Sequence, residues 1–86
     1  MTNGLPRGTD PGTLARTQLL RMARSAQAQG LVYEAIHTYY HLMDQYPRTE
    51  ESRQAMEELV GLAQFLEGQG MYHMAKSMYQ RLEEFA

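Results

Sequence analysis

Four stretches of this chain carry apolar residues at helical spacing, and short links separate them. The first runs from about Pro11 to Gln29, where Leu14, Leu19, Met22, Ala23 and Ala26 keep helical spacing and Leu20 stands to one side. Asp10 before Pro11 makes a helix start, because its carboxylate can accept from unpaired N–H groups and proline is tolerated in the first turn. Gly30 ends this helix as a left-handed residue just past the last turn. The second helix, about Val32 to Gln45, puts Val32, Ala35, Ile36, Tyr39, Leu42, Met43 and Tyr46 on one broad face. Glu34, His37, His41 and Asp44 fall on the opposite side, and Pro47 stops the helix.

Thr49 is the expected cap of a third helix, with Glu50 and Glu51 in its first turn opposing the positive end of the macrodipole. It reaches Gly68 or Gln69 and turns Met56, Leu59, Leu62, Ala63 and Leu66 inward. Gly61 inside it weakens the helix by about 1 kcal/mol relative to alanine, so the sequence predicts a close approach of a neighbouring helix there. A fourth helix from Met71 presents Met71, Met74, Ala75, Met78, Tyr79, Leu82 and Phe85 on one stripe. Links of two to four residues require antiparallel neighbours. No stretch alternates as a strand does, so the expected class is all-α. Residues 1–9, rich in Gly, Pro, Thr and Asn, read as a disordered leader, and residues 10–86 as a single helical domain.

The second half of the chain is a degraded copy of the first, displaced by forty residues. Leu19, Ala23, Gln29, Gly30, Ala35, Tyr39 and Leu42 meet Leu59, Ala63, Gln69, Gly70, Ala75, Tyr79 and Leu82. Two helices per repeat at such a period mark an α-solenoid, in which each hairpin buries its apolar face on the next.

These residues resemble the tetratricopeptide (TPR) family over about residues 13–86. Ala23, Gly30, Ala35, Tyr39 and Pro47 take the family's small, turn, small, aromatic and proline places, and Ala63, Gly70, Ala75 and Tyr79 take them again. Tyr-Pro-Arg-Thr at 46–49 is similar to the link between repeats in many bacterial members. Two features depart: the family repeat is about thirty-four residues, and its first-helix aromatic is replaced near Leu19 and Leu59. The longer period calls for about six extra residues in the third helix or an elongated link. The resemblance implies a short solenoid of two TPR-like hairpins, with Tyr39 filling the wedge toward the second. The alternative is a generic four-helix bundle.

Composition narrows the chemistry. The 86 residues contain no cysteine, so neither disulfides nor thiolate metal sites supplement the core. Seven methionines suit surfaces that adapt to a partner. The net charge of −2 argues against a nucleic-acid protein. Its distribution is uneven: residues 1–24 carry +3 and the remainder −5, a polarity that head-to-tail association could use. No apolar run approaches the roughly 18 residues of a membrane span, and no signal pattern opens the chain, so the expected location is the cytoplasm without membrane insertion.

Glu34, His37 and His41 form E-x-x-H-x-x-x-H on one helical face, a spacing that can chelate a divalent metal. One helix cannot close a coordination sphere, so the expected reading is a solvated polar stripe with no metal and no cofactor. The few Ser and Thr residues lie in caps, the leader or polar faces, without a strand–turn–helix setting for a nucleophile. The glycines punctuate helices and build no phosphate loop. No enzyme is expected.

The family resemblance implies a scaffold that binds protein. Of Leu20, Arg24, Val60 and Gln64, which match the places where one TPR subgroup clamps carboxylates, only Arg24 has the right chemistry. A groove of Leu20, Arg24, Gln27, Val60, Gln64 and Glu67 is expected to take a mixed polar and apolar peptide instead. The stripe Met71, Met74, Met78 and Phe85, in a chain whose last helix has no following cap, is the expected main contact with another polypeptide. Two functions stand: an interaction module, adaptor or small chaperone, holding a peptide or helix of a partner; or a structural subunit of a homo-oligomer or larger assembly.

Overall fold

Local chemistry fixes the ends of four helices in the computed structural model, which describes residues 10–85. They are α1 (Pro11–Ala28), α2 (Val32–Gln45), α3 (Glu50–Gly68) and α4 (Tyr72–Glu83), and no described residue is in a strand. The leader expected at residues 1–9 and the final Ala86 lie outside the described residues. Asp10 caps α1 by accepting from Thr13 N–H at 2.7 Å, and this hydrogen bond holds its carboxyl below the usual range. Thr49 does the same for α3 from Ser52 N–H at 3.1 Å, while its own hydroxyl donates to Tyr46 C=O at 2.8 Å. Between α2 and α3 the chain turns at Arg48, a non-glycine residue at φ 61°.

The two hairpins close in the same way. Gly30 and Gly70 sit at φ 81° and 84°, where a side chain would be strained. The N–H groups of Gly30 and Leu31 donate to Gln27 and Ala26 C=O, and those of Gly70 and Met71 to Glu67 and Leu66 C=O. Both are the paired Schellman closure, which satisfies carbonyls that the helix leaves open. The forty-residue copy is thus a copy in three dimensions. Tyr39 O–H donates to Gln27 at 2.7 Å, and Tyr79 O–H to Glu67 at 3.1 Å, each across its own hairpin.

Each helix packs on the next in order, and α1 also meets α3, giving a first-helix layer (α1, α3) and a second-helix layer (α2, α4). Across the first layer, Arg16 pairs with Glu51 at 2.7 Å and Arg24 with Glu58 at 3.2 Å. Side chains bridge the second layer. Tyr40 donates to Met78 C=O at 3.3 Å, its ring stacks on Phe85, and Arg81 lies over it while reaching Asp44 at 3.3 Å. Ala23, Ala35, Ala63 and Ala75 are buried, with Tyr39, Leu42, Met43 and Leu59 as the largest fully buried side chains. Burial of such groups at about 1.5–3 kcal/mol each holds the pair of hairpins together.

Two sequence expectations change, and two are sharpened. On α1 the inward face is Leu20, Ala23 and Ala26, while Leu14 and Met22 are exposed. The buried stripe is rotated by roughly 60° from the one read off the sequence, because α1 must serve both α2 and α3. Gly61 is exposed, and a methyl group there would meet nothing within 4 Å, so no helix approaches it. Tyr39 bonds Gln27 of its own hairpin while Glu58 of α3 acts on the same hydroxyl, and Tyr40 reaches from α2 to α4. The long period is carried by first helices of 18 and 19 residues, not by an elongated link.

Candidate functional site

Phe65 stands apart from the pattern of α3. The buried residues of that helix are Ser52, Ala55, Leu59, Leu62, Ala63 and Leu66, and Phe65 points away from most of them into solvent. Beside it, both hairpin turns deliver an apolar residue directly after the left-handed glycine. In the Schellman closure that residue packs on the last turn of the preceding helix, which sets the position of Leu31 and Met71. Tyr33 follows on α2. These four side chains are 53% (Phe65), 47% (Leu31), 38% (Met71) and 60% (Tyr33) exposed, although each carries a large apolar surface.

Together they line a cleft of about 530 Å³ at the turn edge of the molecule, floored by Val32 and Leu66. Glu34 is the one charged residue among its lining. A second compartment of about 310 Å³ continues past Phe65 to Gln27, Gly61 and Leu62. Gly61, one turn before Phe65, leaves this side open because it has no side chain. The cleft can bury an apolar segment against aromatic and thioether groups, and its lining has no nucleophile beside a base.

The first-helix groove expected from the sequence is largely occupied by its own bonds. Leu20 is buried in the core and cannot line a surface. Arg24 is held by Glu58 and by Gln54 at 3.0 Å. Gln27 and Glu67 accept from Tyr39 and Tyr79. Burial, reinforced by the Glu58 carboxylate and opposed by Arg24, pushes the Tyr39 hydroxyl up to about 12, so it stays a donor. Val60 is half-buried, and Gln64 is exposed.

The α4 stripe divides similarly. Met78 is buried, Met74 is half-buried against the core, and Phe85 is half-buried on Tyr40. A single apolar stripe on α4 is consumed by packing on the rest of the chain, so it does not form an uncovered contact face. The outward face of α4 carries His73, Lys76, Ser77, Gln80 and Glu83, with Tyr72 exposed at its start. Met71 alone of that set joins the cleft.

Glu34, His37 and His41 are exposed on α2, and no three His, Cys, Asp or Glu side chains converge as a metal site among the described residues. No helix among them is long and apolar enough to cross a membrane. Sequence reasoning missed Leu31, Tyr33 and Phe65. The available signals were the apolar pair Leu31 and Met71, forty residues apart after matching glycines, and an aromatic residue off the α3 stripe. Comparisons with protein-family models, curated proteins and solved structures found no match.

Proposed function

We propose that this chain is a non-enzymatic protein-interaction module, an adaptor or small chaperone of TPR-like architecture, which holds an apolar segment of another protein in its turn-edge cleft. One observation carries this reading: four large apolar side chains from both hairpins stay exposed around a single cleft. Scattered apolar residues on a surface need no explanation, but a convergent set rimmed by polar groups is typical of a binding site. The partner segment supplies an aromatic or branched aliphatic anchor, and Glu34 favours a neutral or basic residue beside it.

The test is selection of peptides from a displayed library on the full chain, with Phe65→Ser as control. Enriched peptides are expected to share an apolar anchor and to bind Phe65→Ser at least about tenfold more weakly, or about 1.4 kcal/mol. Phe65 is half-exposed, so the variant should melt close to the parent. No enrichment, or equal binding to both proteins, would remove the cleft as the site. The second reading, a subunit of a larger assembly, is supported by the matching chemistry of the two free faces of the hairpin stack.

A further inference from the structure

The contact between the two hairpins can be written as a short set of pairs. Tyr40 of α2 reaches Met78 C=O and lies under Arg81, and Asp44 pairs with Arg81. Val32 lies with Leu62, Leu66 and Met71 along the turn edge. In the first-helix layer Arg24 meets Glu58 and Gln54. Because the hairpins are copies at a forty-residue offset, with the same turns and the same cross-hairpin tyrosine bond, each of these positions has an equivalent on a free face.

The operation that carries the first hairpin onto the second would, applied again, bring the first hairpin of another copy against the back of the second. The Asp44–Arg81 pair then becomes Glu84 against His41. Tyr40 at the Met78 carbonyl becomes Gln80 at that of Thr38, an amide donor in place of a hydroxyl. Val32 over Leu62 and Met71 becomes Tyr72 over Met22 and Leu31, both exposed. Arg24 against Glu58 becomes Gln64 against Gln18. Lys76 and Glu34, of opposite charge, each line one of the two free faces. None of these substitutions sets like charges together. Each free face also keeps an open groove: about 410 Å³ beside Met22, Leu31, Glu34 and Thr38, and about 390 Å³ beside Tyr72, Lys76 and Gln80.

We infer that copies of this chain associate head to tail, the back of α4 seating in the front groove between α1 and α2 of the next copy and continuing the internal stack. The occupant is a second copy because the mapped pairs of the second-helix layer and of the turn edge stay complementary, while the Arg16–Glu51 pair maps onto Met56 against Pro11 and contributes nothing. The contact is heterologous and need not close, so it builds open chains of copies rather than a fixed dimer. Its pairs are more polar than the internal ones, so it is reversible and grows with concentration.

The absence of cysteine makes the test direct. A full chain carrying His41→Cys and Glu84→Cys is treated with a short bis-maleimide from about 10 μM to about 1 mM protein, a range that spans weak affinities. A ladder of multimers is expected, growing with concentration. An equimolar mixture of the two single variants should give crosslinked dimers, while either single variant alone should not. As an independent arm, His41→Glu sets two carboxylates together and should shift association to at least about tenfold higher concentration in sedimentation velocity. Adding Glu84→Arg to it should restore association. Both residues are exposed, so these variants should melt with the parent. A parent that stays monomeric throughout overturns the inference, as does crosslinking within a single variant, which would mean two like faces meeting. Association unchanged by His41→Glu overturns it as well.

Discussion

Gly61 shows how one residue can be misjudged from its neighbours. A glycine in the middle of a long helix suggests a close crossing, yet a methyl group there meets open space, and the backbone at that position is ordinary helix. Gly61→Ala is therefore expected to stabilise the chain by about 1 kcal/mol, raising the melting temperature by roughly 4–8 °C. A fall in calorimetry would mean that something does approach the helix there. Ala35 is the opposite case. It has no exposed surface, and Ala35→Phe should overpack the first hairpin and cost about 1–3 kcal/mol or more in denaturant unfolding. That alanine was legible in the sequence, because its copy at Ala75 marks a repeated demand for a small side chain.

Tyr39 gives the pH behaviour its direction. Burial raises its folded-state value from 10.0 to about 12, with Glu58 adding and Arg24 opposing. The neutral form is the one the fold favours, so this contribution to stability is complete below pH 10. It is lost as pH rises toward about 12, because the unfolded chain ionises first. Tyr40 and Tyr79 shift in the same direction, each mainly through burial. Chemical denaturation between pH 9 and pH 12, taken here as about the span of ordinary and raised tyrosine ionisation, should show a smaller loss for Tyr39→Phe than for the parent. Equal losses would place the tyrosine elsewhere than in the part-buried Gln27 bond.

At the scale of elements, the copy is exact where hairpins close and diverges where they meet. Tyr40 inserts between α2 and α4, and its equivalent, Gln80, faces outward on α4. Tyr40→Ala should cost about 3–5 kcal/mol, in the range for truncating a buried aromatic, while Gln80→Ala should fall within about 0.5 kcal/mol of the parent. Similar costs would mean that the two hairpins are not joined through this wedge. The four helices, their caps and their order were legible because periodicity, glycine and proline report on local structure. The faces of α1 and the role of Tyr40 were not. Periodicity places residues on a helix, but the direction in which that helix finds its neighbours depends on contacts between hairpins, among them the Arg16 and Arg24 ion pairs between α1 and α3.

For the whole molecule, the same limit hid the cleft. Met71 reads as the start of the fourth-helix stripe, while Leu31, Tyr33 and Phe65 belong to none of the predicted apolar faces. Only the stacking of the hairpins brings them to one place. The stripe of methionines on α4 was legible as a stripe, but its burial followed from α3 and Tyr40 lying against it. The central claim is that a partner segment is held at the turn edge. An amide NMR titration of the full chain with a library-selected peptide tests this most directly. Shift changes centred on Leu31, Tyr33, Phe65 and Met71 are expected, with the α1–α3 surface at Gln64 unmoved. Changes centred on Val60 and Gln64 with the turn edge silent would contradict it.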